Sequence, residues 1–204
     1  MYAPDFGVPQ SRERVIFFGF RKDLLTVAAL EALTAANIPE KYNPYPSPTH
    51  GSNLLPYVTC ADALIDLQEP EKSSDLSQQK YSQCKYMGRH CQGQTDIKLN
   101  SVGPTIRSEH HGNIEFRRLS AEHGGTHTEE LESGRQERRL TVRECARIQT
   151  FPDDYQFILK ATSDNVAVSA SDAYKIIGNA VPCVLAYNIA KNIEEKWHLY
   201  FKEN

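Results

Sequence analysis

The chain has 204 residues, of which 40% are apolar, with 23 Lys and Arg against 26 Asp and Glu and a formal charge of −3. The length allows one domain or two small ones and suffices to bury a core; the slight acidity excludes a global basic field, so any nucleic-acid surface must be a local patch. Five cysteines at irregular spacing exclude a disulfide framework, and no apolar run approaches the roughly 18 residues of a membrane span.

The first recognisable element follows the turn-forming Gly7-Val8-Pro9-Gln10. Arg14 to Phe20 is a continuous run of β-branched and aromatic residues, which predicts a strand buried on both faces. Asp23 to Asn37 reads as a helix with Leu24, Leu25, Ala28, Leu30 and Leu33 on its apolar side, stopped by Pro39. Residues 39–56, rich in Pro, Tyr, Asn and Ser, read as loop. Thr59 to Leu67 reads as a short helix capped by Thr59. Residues 68–96 are polar without a clear period, a length that points to a functional loop region. Gly103–Arg107 and Ile114–Leu119 read as two short strands joined by a turn at His110–Asn113, and 121–137 as a Gly/Glu-rich loop.

The stretch Arg138 to Pro152 carries the clearest local signals. Thr141 with Glu144 forms a capping box, Leu140 and Cys145 are spaced as a hydrophobic staple around it, and Pro152 cannot continue the helix. Arg143 and Arg147, four apart, share a face that is either phosphate-facing or simply solvated. The arginines as a whole concentrate in three places: Arg12, Arg14 and Arg21; Arg107, Arg117 and Arg118; and Arg135 through Arg147. Near the C-terminus Gly178-Asn179 reads as a left-handed turn at the mouth of a helix, either an anion site or an ordinary helix corner. From Pro182, Leu185, Ile189, Ile193, Trp197 and Phe201 recur every four residues. This amphipathic helix of about 18 residues must dock its apolar stripe on something.

Three segments in one order, Gly7-Val8-Pro9-Gln10-Ser11-Arg12-Glu13-Arg14, Arg139 to Pro152, and Gly178-Asn179-Ala180-Val181-Pro182, resemble motifs eight, nine and ten of the DNA (cytosine-5)-methyltransferases. The resemblance implies an α/β fold: the C-terminal part of a Rossmann-like S-adenosylmethionine-dependent methyltransferase domain plus a small irregular, mostly β target-recognition domain. Residues 1–37 would end the catalytic domain, 38–172 form the recognition domain including the ninth motif, and 173–204 return to the catalytic domain. The family adds a thiolate to carbon-6 of a cytosine flipped out of duplex DNA and methylates carbon-5.

By the same resemblance Arg14 approaches the exocyclic oxygen of the flipped base, Arg12 braces the catalytic loop or a phosphate, and Gln10 either orders the turn or touches substrate. Asn179, Ala180 and Val181 line the amino-acid end of the S-adenosylmethionine pocket. Some relatives have Ser where Ala180 stands, so backbone N–H groups would replace that hydroxyl. Thr105-Ile106 resembles a pair near the base-reading loops. Arg107, His110 and His111 are then candidates for major-groove or phosphate contacts, Arg139 and Arg143 for DNA contacts, and Lys85, Arg89 and His90 for phosphates. No metal site is expected, since Cys84, His90 and Cys91 lack ligand spacing.

The family's N-terminal motifs are absent: no Phe-x-Gly-x-Gly, no Pro-Cys-Gln, no Glu-Asn-Val. Pro182-Cys183 is the only Pro-Cys pair, and Cys183 reads as a packing residue. The chain alone is expected to be inactive. It would act with the N-terminal catalytic half, either a separate subunit of a restriction-modification enzyme or the missing part of the same chain. The contrasting reading is a stand-alone DNA-binding module. The expected setting is a bacterial cytoplasm, in contact with double-stranded DNA.

Overall fold

The computed structural model describes residues 1–108, 113–161 and 167–202. His110 and His111 lie outside the described residues. Helix α1, Val27–Thr34, starts later than the periodicity predicts because the Thr26 hydroxyl accepts from the Ala29 N–H and caps it there. Helix α2, Cys60–Leu64, begins at Thr59 in a capping box with Asp62. Helix α3, Leu76–Gln79, is capped by Asp75. Strand β1, Phe116–Arg118, pairs antiparallel with β2, Arg138–Arg139. The short α4, Thr128–Glu132, lies between them in sequence.

The pairing of β1 corrects one expectation. Its partner is not Gly103–Arg107, which makes only a single bridge from Gly103 to Gln10. Among the described residues this pair is the whole of the sheet, so region 38–172 is built of short helices and loops rather than mostly of strands.

Helix α5, Val142–Ile148, has the expected capping box: Thr141 Oγ1 accepts from the Glu144 N–H at 3.0 Å and Glu144 Oε2 accepts from the Thr141 N–H at 2.8 Å. Leu140 and Cys145 are both fully buried in the same core. The helix stops before Pro152 has any say. Thr150 N–H bonds to Arg147 O and Phe151 N–H to Ala146 O, a Schellman ending with Thr150 in the left-handed region at φ 62°.

Helix α6 spans Ala170–Asn179 and α7 Cys183–Glu195, with Pro182 as its N-cap. Gly178 and Asn179 are therefore helical, and the left-handed turn expected there does not form. The terminal helix breaks at Lys196 into α7 and α8, Trp197–Tyr200.

Three apolar clusters hold these parts. The largest joins α2, α5 and α6 with the segments around them through Leu64, Ile106, Ile114, Leu140, Ile148, Tyr174 and Ile177. A second packs α1 with Tyr42 and Tyr200. The third seats Leu185 of α7 on Ala3, Phe6 and Val8. The terminal stripe thus docks in two parts, Leu185 and Ile189 on the N-terminal residues and Ile193 and Phe201 on the cluster around α1, while Trp197 is 58% exposed. Arg14 to Phe20 is extended but forms no strand: residues 15–20 make no backbone–backbone hydrogen bond among the described residues, and Ile16 O accepts only from the Tyr45 hydroxyl at 2.9 Å.

Candidate active-site wall

Residues Met1–Ala3 run antiparallel to Arg12–Arg14, with Ala3 N–H on Arg12 O at 2.9 Å and Arg14 N–H on Met1 O at 3.0 Å. Alternation along such an extended segment puts Gln10, Arg12 and Arg14 on one face. Gln10 and Arg12 are buried and Arg14 reaches out.

A cleft of about 250 Å³ opens at that point, lined by Arg12, Arg14, Thr105, Ile106, Arg107, Ser108, Gly178 and Asn179. Segments more than 160 positions apart in sequence meet there, and a hydrogen-bond lattice explains how. Arg12 Nη1 donates to Ile106 O at 3.1 Å, and its Nη2 donates to Gly178 O at 2.6 Å and Ala180 O at 3.1 Å. Gln10 Oε1 accepts from Ile106 N–H at 3.1 Å. The Ile106 peptide is thereby gripped on both sides, which aims Thr105 and Arg107 at the cleft. Burial, with help from the neighbouring Arg14 charge, lowers the Arg12 pKa to about 10, which still leaves it charged at neutral pH.

Several expected contacts are corrected by this placement. Arg12, expected to brace a loop or a phosphate, is 2% exposed and directs its two Nη groups to three carbonyls, leaving Nε without a partner among the described residues. Gln10 is fully buried, with its amide bonded to Gln149 and to Ile106 N–H. Ile106 is a core residue with no exposed surface. Arg139 is 1% exposed and donates to the carbonyls of Cys84, Gly93, Ile114 and Lys85. Arg143, 2% exposed, donates to Asp75, Pro152 O and Tyr155 O. Neither Arg139 nor Arg143, both expected to contact DNA, presents its guanidinium to solvent in this chain. Arg147 likewise spends its guanidinium on Asp66, Asp153 and Ala63 O.

Arg14, Arg107 and Asn179 remain at the cleft with polar groups at its surface. Arg14 Nη1 donates to Glu13 O and Arg107 Nη1 to Gln92 Oε1. Lys85, Arg89 and His90 are exposed. The Asn179 side chain makes no hydrogen bond among the described residues, and Val181 is 42% exposed. Ala180 is spent: its N–H bonds Ile177 O and its carbonyl accepts from Arg12 and Gln149. The residues present thus suit one polar end of a cofactor, with Asn179 and Val181 as the available groups.

No cysteine lines the cleft. Burial raises the thiols of Cys60, to about 11, and of Cys145 and Cys183, so these three stay protonated. Among the described residues no group of His, Cys, Asp and Glu is arranged to hold a metal, and no helix is long and apolar enough to cross a membrane.

Beside the cleft the carboxyl of Glu115 is buried with Oε2 unpartnered. Burial lifts its pKa from 4.5 to about 7 against the pull of Arg107 and Arg139. The protonated form is favoured by folding, so this group's contribution to stability is complete below pH 4.5 and lost as pH rises through 7. Glu115→Gln is expected to raise stability at pH 8 by about 2 kcal/mol and to change little at pH 4. Denaturant melts at the two pH values read this directly.

Two residues of this framework had no role in the sequence reading. Gln149 follows α5, and Gln92 holds Arg107. Gln149 lies within the ninth-motif segment without a role of its own, and nothing local marks Gln92, because their partners lie elsewhere in the chain.

Residues 1–195 match the family model described as C-5 cytosine-specific DNA methylase. The Type II methyltransferase M.BsuRI of Bacillus subtilis is 34% identical over 210 residues, covering 99% of this chain and 42% of the relative. M.BspRI of Lysinibacillus sphaericus is 33% identical, covering 99% of this chain and 44% of the relative. M.MthTI of Methanothermobacter thermautotrophicus is 31% identical, covering 95% of this chain and 54% of the relative. The chain spans about half the length of the curated relatives it matches. The chain belongs to the C-5 cytosine-specific DNA methylase family and represents a C-terminal part of such an enzyme.

Proposed function

We propose that this chain supplies the DNA-recognition region and one wall of the active site in a Type II restriction-modification methyltransferase. The reaction is transfer of a methyl group from S-adenosylmethionine to carbon-5 of a cytosine flipped out of a specific duplex site. The observation that carries this reading is the convergence of Arg14, Arg107 and Asn179 on one cleft.

Arg14 donates to the exocyclic oxygen of the flipped base and steadies the charge that builds on the ring as a thiolate adds. Asn179 and the Val181 backbone hold the amino-acid end of S-adenosylmethionine, which when bound supplies the methyl group. Arg107, Thr105, Lys85, Arg89 and His90 face the DNA, with phosphates taking most of these contacts.

The attacking thiol and the assisting acid come from the N-terminal catalytic half. The extended segment 15–20 supports this partner. Among the described residues it makes no backbone–backbone hydrogen bond, and Val15 and Phe17 are 77% and 89% exposed. Phe18 and Phe20, on the other face, pack against Tyr45 and Tyr200. A segment with one face on its own core and bare edges is a strand awaiting a sheet.

Mixing this chain with a polypeptide that carries the N-terminal motifs, and measuring labelled methyl transfer to DNA, tests the reading. No transfer by the chain alone and transfer by the mixture are expected. Transfer by the chain alone would refute it. In the mixture Arg14→Ala is expected to lower transfer about 100-fold while DNA affinity falls only a fewfold; equal losses would mark Arg14 as a phosphate clamp.

A further inference from the structure

Gln149 sits just after α5, fully buried, where four stretches of the chain meet. Its Nε2 donates to Ile177 O at 2.7 Å and to Ala180 O at 3.0 Å, the two carbonyls that bracket Gly178 and Asn179. Its Oε1 accepts from Gln10 Nε2 at 2.6 Å. The far end of the Gln10 amide in turn accepts from Ile106 N–H at 3.1 Å. The Gln149 backbone carbonyl accepts from Cys183 N–H at 3.3 Å, and the adjacent Thr150 hydroxyl accepts from Val184 N–H at 2.9 Å. The first turn of α7 is therefore capped from the same place.

All four hydrogen-bonding directions of this amide pair that matter are used. The two amides form a continuous chain, Ile106 N–H to Gln10 to Gln149 to Ile177 and Ala180. One end holds the segment that carries Thr105 and Arg107; the other holds the C-terminal end of α6, which carries Asn179 and leads into Val181. In a low-dielectric interior such a satisfied network fixes relative position more firmly than apolar packing, because each partner left alone bears a desolvation cost.

We propose that Gln149 is a positioning residue that sets the distance between the DNA-reading segment and the cofactor wall. It acts on the end of α6 directly and on Ile106 only through Gln10. This inference rests on the methyltransferase reading above.

The two ends can be cut separately in the enzyme assembled from this chain and the N-terminal half. Gln149→Glu keeps the shape and still accepts from Gln10 but loses its donation to Ile177 O and Ala180 O. Its KM for S-adenosylmethionine is expected to rise about tenfold, with kcat and the KM for DNA within about twofold. Gln149→Met also abandons Gln10, and both KM values are expected to rise. A folded Gln149→Glu with an unchanged KM for S-adenosylmethionine overturns the proposal, as does an equal rise in both KM values, which marks general loosening. If Gln149→Glu fails to fold, Gln149→Met decides: no rise in either KM overturns it. An inactive wild-type assembly removes the methyltransferase reading and this inference with it, whereas an active wild-type assembly with silent variants removes this inference alone.

Discussion

Gly178→Ala is expected to lower the stability of the chain by about 2 kcal/mol and to cut methyl transfer in the assembled enzyme at least about 100-fold. Two effects compete. Gly178 is helical, and in a helix alanine is favoured over glycine by about 1 kcal/mol. Against this, an added Cβ would lie 2.5 Å from the Arg107 carbonyl carbon and from the Ser108 nitrogen. These are backbone atoms, and the 105–108 segment is pinned by Arg12 and Gln10, so it cannot swing aside without breaking the Ile106 bonds. The clash outweighs the helix gain. Displacement by about an ångström at the cleft then costs far more in transfer than in stability, because reacting groups tolerate little misplacement. Gly19→Ala is the control, since its Cβ would meet nothing within 4 Å. A raised melting temperature with normal transfer for Gly178→Ala would show that the close approach is slack.

The same contrast separates what the sequence made legible from what it did not. The caps at Thr59 and Thr141 were readable because donor and acceptor lie three residues apart. The Arg14, Arg107 and Asn179 positions followed from the family resemblance, and the cleft brings all three together. The need for Gly178 was visible, but its reason was not: the residue relieves a contact with a segment 70 positions away rather than supplying a left-handed turn. The run 14–20 reads as a two-sided strand by composition, yet without sheet partners it is merely extended. The arginines were the least legible. Arg143 and Arg147 look like a basic face in sequence, and their carbonyl and carboxylate partners are up to 84 positions away. A guanidinium with five donors is as suited to gathering stray carbonyls as to binding phosphate, and local charge pattern does not distinguish the two.

Arg118→Ala is expected to be the most destabilising surface-distant change, costing about 3–5 kcal/mol, or roughly 10 °C in melting temperature. Arg118 has no exposed surface. Its Nε meets Glu130 Oε2 and its Nη2 meets Glu69 Oε1, each at 2.6 Å, and its Nη1 donates to Gln136 O at 3.3 Å. Glu69 is shared with Arg138 at 3.2 Å, and Arg138 grips both oxygens of Glu144 at 2.8 Å. Glu144 is also the capping-box residue of α5, so the network runs from the 69–72 segment through the β1–β2 pair into the helix that carries Gln149. Although burial opposes ionisation of Glu69, Arg118 and Arg138 hold its carboxyl at about 2. Removing Arg118 strands Glu69 and Glu130 half-buried with fewer cations, and it is this uncompensated charge, more than lost attraction, that sets the cost. The exposed Arg21–Asp23 pair, 2.5 Å apart with side chains 73% and 62% accessible, offers the comparison. Arg21→Ala should leave the melting temperature unchanged, because solvent already screens both charges. Equal melting temperatures for Arg118→Ala and the parent chain would mean that the recognition region does not depend on this ion network, and that the arginines of β1 and β2 are available for other partners.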